Sequence, residues 1–215
     1  MTGSLRHHPT PELVLDYASG ALDEGRALVL AAHIGACRDC RAQLDLAEAV
    51  GGALLTELEP TDMAPEALSQ ALASLDVAPE PSPAAAREGP ADWIRVPSEV
   101  LLAAERRRWA APGVWVAPII RDIRNGARSY LLGIGPGIAI PRHSHKGVEM
   151  ICVLKGAYED RGERHGPGDF SCNDEAVEHR PWVTRDAECV CLVAADHALV
   201  PRSLMARVFQ PFVRI

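Results

Sequence analysis

Two clusters of metal-ligand side chains and one thiol pair carry the chemistry legible in this sequence. His33, Cys37 and Cys40 stand as His-x3-Cys-x2-Cys. At 100° per residue, these positions fall within about 60° of one another on a helix, so one imidazole and two thiols point the same way. Thiolate and imidazole together suit tetrahedral zinc. A fourth donor must come from elsewhere, and either His7 or His8 can supply it. A redox Cys-x-x-Cys pair would sit in a strand–turn–helix context that this segment lacks, and it would leave His33 unexplained.

The second cluster is His143-x-His145-x3-Glu149 with His179 downstream. Positions 143, 145 and 149 share parity, so on extended backbone they can face one interior. Three imidazoles and a carboxylate accept Zn, Fe, Mn, Ni or Cu, and spacing does not choose among them. Cys189 and Cys191 lie two apart on an apolar run, hence on one face of a strand. They are candidate redox-sensing thiols, although a pair of buried core cysteines is the commoner outcome for such residues. Cys152 and Cys172 read as core or near-surface residues, and His165 and His197 as surface or internally satisfied histidines.

The elements that must position these groups fall into two halves. Residues 1–76 read as helices: Thr10 caps one with Pro11 at its first position and Gly20 stops it, and Asp23 caps a second. A third runs from about Arg38 to Leu58, with Leu44, Ala47, Val50, Leu54 and Leu58 on a stripe. A fourth opens at Pro65 with Leu68, Leu72 and Leu75 in line, detached enough to dock on a partner. Residues 77–90, rich in Pro, Ala and Glu, form a linker. Residues 91–215 show short apolar runs at Val114–Ile120, Tyr130–Ile134, Glu149–Leu154, Glu188–Ala194 and Met205–Phe209. Gly, Pro and Asn-Gly punctuate them, the pattern of an all-β barrel or sandwich. The expected fold is thus a zinc-stapled all-α bundle, 1–76, followed by an all-β domain, 91–215.

Composition narrows the function. The chain has 215 residues, 47% apolar and 24% charged, an ordinary globular balance. The longest membrane-like run, Ala27 to Cys37, has eleven residues and contains His33, against roughly 20 for a span. With no signal-peptide layout either, a cytoplasmic location is expected, where six cysteines serve as ligands or redox thiols more often than as disulfides. Residues 1–76 carry four Arg and twelve Asp or Glu, 4 − 12 = −8, whereas the remainder is near neutral. A basic nucleic-acid footprint is absent. An acidic surface of this kind favours a basic protein partner.

The His-x3-Cys-x2-Cys motif with an upstream histidine resembles the zinc-binding anti-sigma domain. Arg6-His7-His8 followed by Leu13, Tyr17, Ala18, Gly20 and Leu22 is similar to the ChrR-type group of anti-sigma factors. In that group the second histidine of the pair completes the site, which maps onto His8. Gly137-x5-His143-x-His145-x3-Glu149-x6-Gly156 resembles the first cupin motif at every position. Gly168-x5-Asp174-x-Ala176-x2-His179 resembles the second more loosely: Asp174, Ala176 and Val183 replace the usual Pro, Gly and Asn. The resemblance covers nearly the whole chain. It implies zinc in both sites, a cupin barrel in the second half, and thiols of the Cys189/Cys191 kind that take part in sensing. It also implies binding and inhibition of an extracytoplasmic-function sigma factor, released on singlet oxygen or peroxide, with no catalysis, no direct nucleic-acid contact and no membrane. The competing class is a cupin metalloenzyme, an oxygenase or isomerase, with an accessory zinc domain.

Overall fold

The computed structural model describes residues 5–75, 89–121, 128–197 and 200–201. Most of the expected linker and the expected strand Met205–Phe209 lie outside the described residues.

Four helices come first: α1 (Pro11–Ala18), α2 (Glu24–Ala36), α3 (Arg38–Thr56) and α4 (Ala67–Leu75). Local chemistry sets their starts. The Thr10 hydroxyl accepts from the Leu13 N–H with Pro11 next to it, and the Asp23 carboxylate accepts from the Arg26 N–H, so otherwise orphaned amide groups are satisfied. Beyond Leu44 and the partly buried Ala47, Val50 and Leu54 of α3 and Leu58 just past its end are exposed, and no residue of α4 is buried among the described residues.

A further helix, α5 (Ser98–Ala104), departs from the all-β expectation for this half. Pro97 stands at its N-cap position, Glu99 sits in its first turn, and Val100 and Ala103 are buried on one side. Twelve strands follow among the described residues. β1 (Arg108–Ala111), β2 (Val114–Arg121), β3 (Arg128–Ile134), β5 (Glu149–Lys155), β8 (Phe170–Asn173) and β11 (Cys189–Ala195) form an antiparallel sheet in the order β1-β2-β3-β11-β5-β8. A second sheet has the order β10-β6-β7, from β6 (Tyr158–Asp160), β7 (Glu163–His165) and β10 (Trp182–Val183). A third, β12-β4-β9, joins β4 (His143–Ser144), β9 (Glu178–His179) and β12 (Val200–Pro201).

Every residue of β11 is buried. Successive side chains alternate faces, and the large sheet is apolar on both. Val190, Leu192 and Ala194 share a cluster with Val29, Leu30 and Ile34 of α2, whereas Cys189, Cys191 and Val193 pack with Tyr130, Val153, Tyr158 and Val183. The helical half therefore has no core of its own. Its apolar side chains complete the outer face of the sheet, and Arg26 pairs with Asp196 at 2.5 Å beside that seam.

Leu30→Ala, at a side chain with no exposure, should cost about 2–5 kcal/mol. Because the core is shared, helical circular dichroism and tryptophan fluorescence should shift together in a denaturant titration. A helical transition that moved alone would show the halves to be uncoupled.

Candidate metal centres

The first centre is built at a corner. Helical spacing would put His33, Cys37 and Cys40 on one face, but the chain breaks at Cys37, which is extended (φ −110, ψ 116) and caps α3, the helix expected from about Arg38. Its Sγ accepts from the Cys40 N–H at 3.5 Å, so the thiol takes the place of the usual oxygen cap. The helix α2 thus presents His33, the corner Cys37 and the first turn of α3 Cys40, and the segment before α1 adds His8. His33 Nε2 lies 3.2 Å from Cys40 Sγ, and His8 Nδ1 lies 3.4 Å from Cys37 Sγ and 3.5 Å from Cys40 Sγ. Tetrahedral zinc places its N and S ligands about 3.6 Å apart, close to these three separations, and all four donor atoms lie within 4.8 Å of one another.

Neighbouring carbonyls fix which ring nitrogen is free. His33 Nδ1 donates to the Gly168 carbonyl at 2.7 Å and His8 Nε2 donates to the Leu5 carbonyl at 3.2 Å. The opposite nitrogen of each ring then holds a lone pair toward the thiols, an orienting contact typical of ligating histidines. Burial lowers the pKa of His33, keeping it neutral. Burial, together with Cys37, pushes the Cys40 thiol up to about 12, so ionising it requires a cation.

The second centre gathers His143, His145, Glu149 and His179, all buried. Pairing of β4 with β9 sets His143 opposite His179, and Glu149 opens β5. The Nε2 atom of His179 lies 3.0 Å from those of His143 and His145, and Glu149 Oε2 is 3.4 Å from His145 Nε2. Ligand atoms about 2.1 Å from an ion stand some 3.0–3.4 Å from one another, which accommodates either tetrahedral or octahedral geometry. His143 Nδ1 donates to the Pro141 carbonyl at 2.8 Å, and His179 Nδ1 donates to Asp160 Oδ2 at 2.9 Å. Burial resists ionisation of Asp160, yet His179 and then Arg161 hold its pKa below the ordinary value. Asp160 is a positioning residue for which the sequence gives no motif, being 19 positions from His179.

Electrostatics in the second centre are those of a cation site. Burial lowers His143, and burial plus His143 bring His145 down to about 4. Burial and the Asp160 charge raise Glu149 to about 8 against the opposing Asn173 hydrogen bond.

The structure places the remaining candidates as follows. Cys189 and Cys191 are buried with Sγ atoms 3.7 Å apart on the inward face of β11. The hydrogen bond shared with Cys189, then burial, raises Cys191 well above a free thiol. Cys152 is buried and Cys172 exposed. His7 is absent from the first centre. His165 is buried with Nδ1 unpartnered, correcting the expectation of a surface or satisfied histidine; it stacks between His7 and Tyr158. His197 is exposed. Among the described residues no helix is long and apolar enough to cross a membrane.

A helical His/Cys cluster joined to a cupin-like β-sandwich with a buried His3Glu cluster defines a cupin-type protein with two candidate metal sites. Residues 97–199 match the family described as the ChrR cupin-like domain. The chain is 36% identical to the anti-sigma-E factor ChrR of Cereibacter sphaeroides over 99% of this chain and 100% of that one. It is also similar to the crystal structure of Rhodobacter sphaeroides SigE in complex with the anti-sigma ChrR, with TM-score 0.75 and 33% identity, covering 90% of this chain and 100% of that chain. The chain belongs to the ChrR family of anti-sigma factors.

Two outcomes test the second centre. Asp160→Asn should weaken its metal affinity about 10–100-fold while the first centre keeps its metal, as read by competition with a chelator. Since Glu149 must ionise to ligate, protons compete below its raised pKa of about 8. Apparent affinity should therefore fall roughly tenfold per pH unit below that value, and Glu149→Gln should abolish this contribution to the slope.

Proposed function

We propose that this chain is a cytoplasmic anti-sigma factor that binds and inhibits an extracytoplasmic-function sigma factor. In this reading residues 1–76 are the sigma-binding unit, 77–90 the linker and 91–215 the cupin unit that governs release on singlet oxygen or peroxide. The observation that carries it is the uncovered apolar face of α3 and α4. Val50, Leu54, Leu58, Leu68, Leu72 and Leu75 are each more than half exposed, in a segment whose charge, 4 − 12 = −8, is the most acidic part of the chain. Each such side chain gains about 1.5–3 kcal/mol when fully buried, and an acidic rim steers a basic partner toward the patch. The relative solved with SigE, alike over nine-tenths of this chain, supports the choice of partner.

Zinc at His8, His33, Cys37 and Cys40 supplies a structural staple, and these residues fix the direction in which α3 leaves the corner. The donor set of the second centre also accepts zinc, held by His143, His145, Glu149 and His179. Cys189 and Cys191 are the candidate redox thiols. They lie on the inner face of β11, whose outer face touches α2. Oxidation of a thiol to the sulfenic acid by peroxide adds an oxygen atom to a full interior, and β11 offers a direct mechanical route to the helices. A signal shifts binding only by acting differently on the bound and free states, and this seam gives it a place to do so.

Leu54→Asp with Leu72→Asp should reduce capture of the co-expressed sigma factor at least about 100-fold, the loss of some 3 kcal/mol, with both metals retained. Capture that persisted would sink the reading. In a sigma-driven reporter, Cys189→Ala with Cys191→Ala should leave inhibition intact and blunt induction by singlet oxygen. The same is expected of His143→Ala. Full induction in both variants would move sensing to Cys37 and Cys40.

A further inference from the structure

His7, Glu163 and His165 form a third cluster of metal-ligand groups, separate from both centres above. One ring nitrogen from each histidine and one carboxylate oxygen lie within 4.8 Å of one another. The histidine rings stack with centroids 4.0 Å apart at 28°. His7 Nε2 donates to the Arg164 carbonyl at 3.2 Å, which leaves a lone pair on Nδ1, the atom 3.9 Å from Glu163 Oε2. His165 is only 5% exposed, and its Nδ1 has no hydrogen-bond partner. A buried ring nitrogen without a partner is costly and calls for an explanation. Glu163, whose side chain is 69% exposed, is free to swing inward. Ligands of one ion stand about 3.3 Å apart, so no gap has to close by more than about 1.5 Å.

We propose that His7, Glu163 and His165 form a third, outward-facing site for a divalent first-row metal ion, with solvent completing the coordination. Two imidazoles and a carboxylate are the donors of an open zinc-type site, and the same set takes Co, Ni or Cu. Affinity is lower than at the two buried centres, because side chains must move and Glu163 loses its freedom. Position gives the site a second property. The Arg6 and His7 N–H groups donate to Asp169, and the Phe170 N–H donates to the His7 carbonyl. An ion shared by His7 and β7 therefore clamps the segment that carries His8 against the β-sandwich.

The test is a zinc titration of the full chain, with stoichiometry and affinity read by calorimetry. The native chain is expected to bind three equivalents, the third more weakly. His165→Phe, which keeps an aromatic ring against Tyr158, should bind two. Glu163→Gln, a change at an exposed side chain, should weaken the third by at least about tenfold, the loss that even an outer-shell partner causes. Saturation of the native chain at two equivalents would overturn the site, as would a third equivalent undiminished in His165→Phe. Loss in His165→Phe with no change in Glu163→Gln would overturn the three-ligand assignment. Retention of the two tight equivalents in each variant shows that the fold is intact.

Discussion

The hydrogen bond from His33 Nδ1 to the Gly168 carbonyl, 2.7 Å long and wholly buried, joins the two parts of the molecule at the point where each needs the other. It fixes the tautomer of a ligand in the helical centre using a turn of the β-sandwich. Gly168 has φ +89, and a Cβ there would sit 2.9 Å from the Leu5 side chain, so any side chain would strain the backbone and force Leu5 to shift. The next two residues continue the attachment. Asp169 receives the N–H groups of Arg6 and His7, and Phe170 reaches the carbonyl of His7. Phe170 also opens β8, which ends at Asn173, the residue hydrogen-bonded to Glu149. A single short strand thus runs from one metal centre to the other.

That strand belongs to a sheet whose two faces serve different ends. The outer face buries α2 and α5 and takes the place of a helical core, while the inner face closes over the thiol pair. A packed interior transmits displacement because it has little free volume to absorb it. The chemistry of Cys189 and Cys191 and the orientation of α2 are therefore separated by the thickness of one β-strand.

The features legible in the sequence were local ones. Thr10 with Pro11 and Asp23 announce helix starts because a cap is decided within three residues, and His143, His145 and Glu149 announce a site because a strand and a turn preserve their parity. The corner at Cys37 was half legible: the third helix was expected from about Arg38, where α3 begins, but His-x3-Cys-x2-Cys aligns its side chains on a continuous helix and, equally, brings them together across a break. Asp160 was not legible because its partner is distant in sequence and it bears no motif of its own; Gly168 was legible as a cupin-motif glycine, but its bond to His33, 135 positions away, was not. The burial of His165 was hidden for a related reason: a polar residue at the end of a three-residue strand gives no period to read. The exposed stripe on α3 has the spacing of a core, and sequence alone does not say that nothing among the described residues covers it.

The separation of His33 and Gly168, 135 positions apart in the chain, has a consequence for how the protein is made. At ribosomal speeds of 5–20 residues per second, roughly 7–27 s pass between synthesis of the histidine and of the carbonyl that orients it. During that interval the leading helices have two thiols and two histidines but no sheet to cover Leu30. They emerge as a solvated, half-formed metal trap with an apolar flank. Metal captured at that stage would pre-fold the corner and hold it until the β-strands arrive, so the yield of folded chain should depend on free metal during translation as well as afterwards.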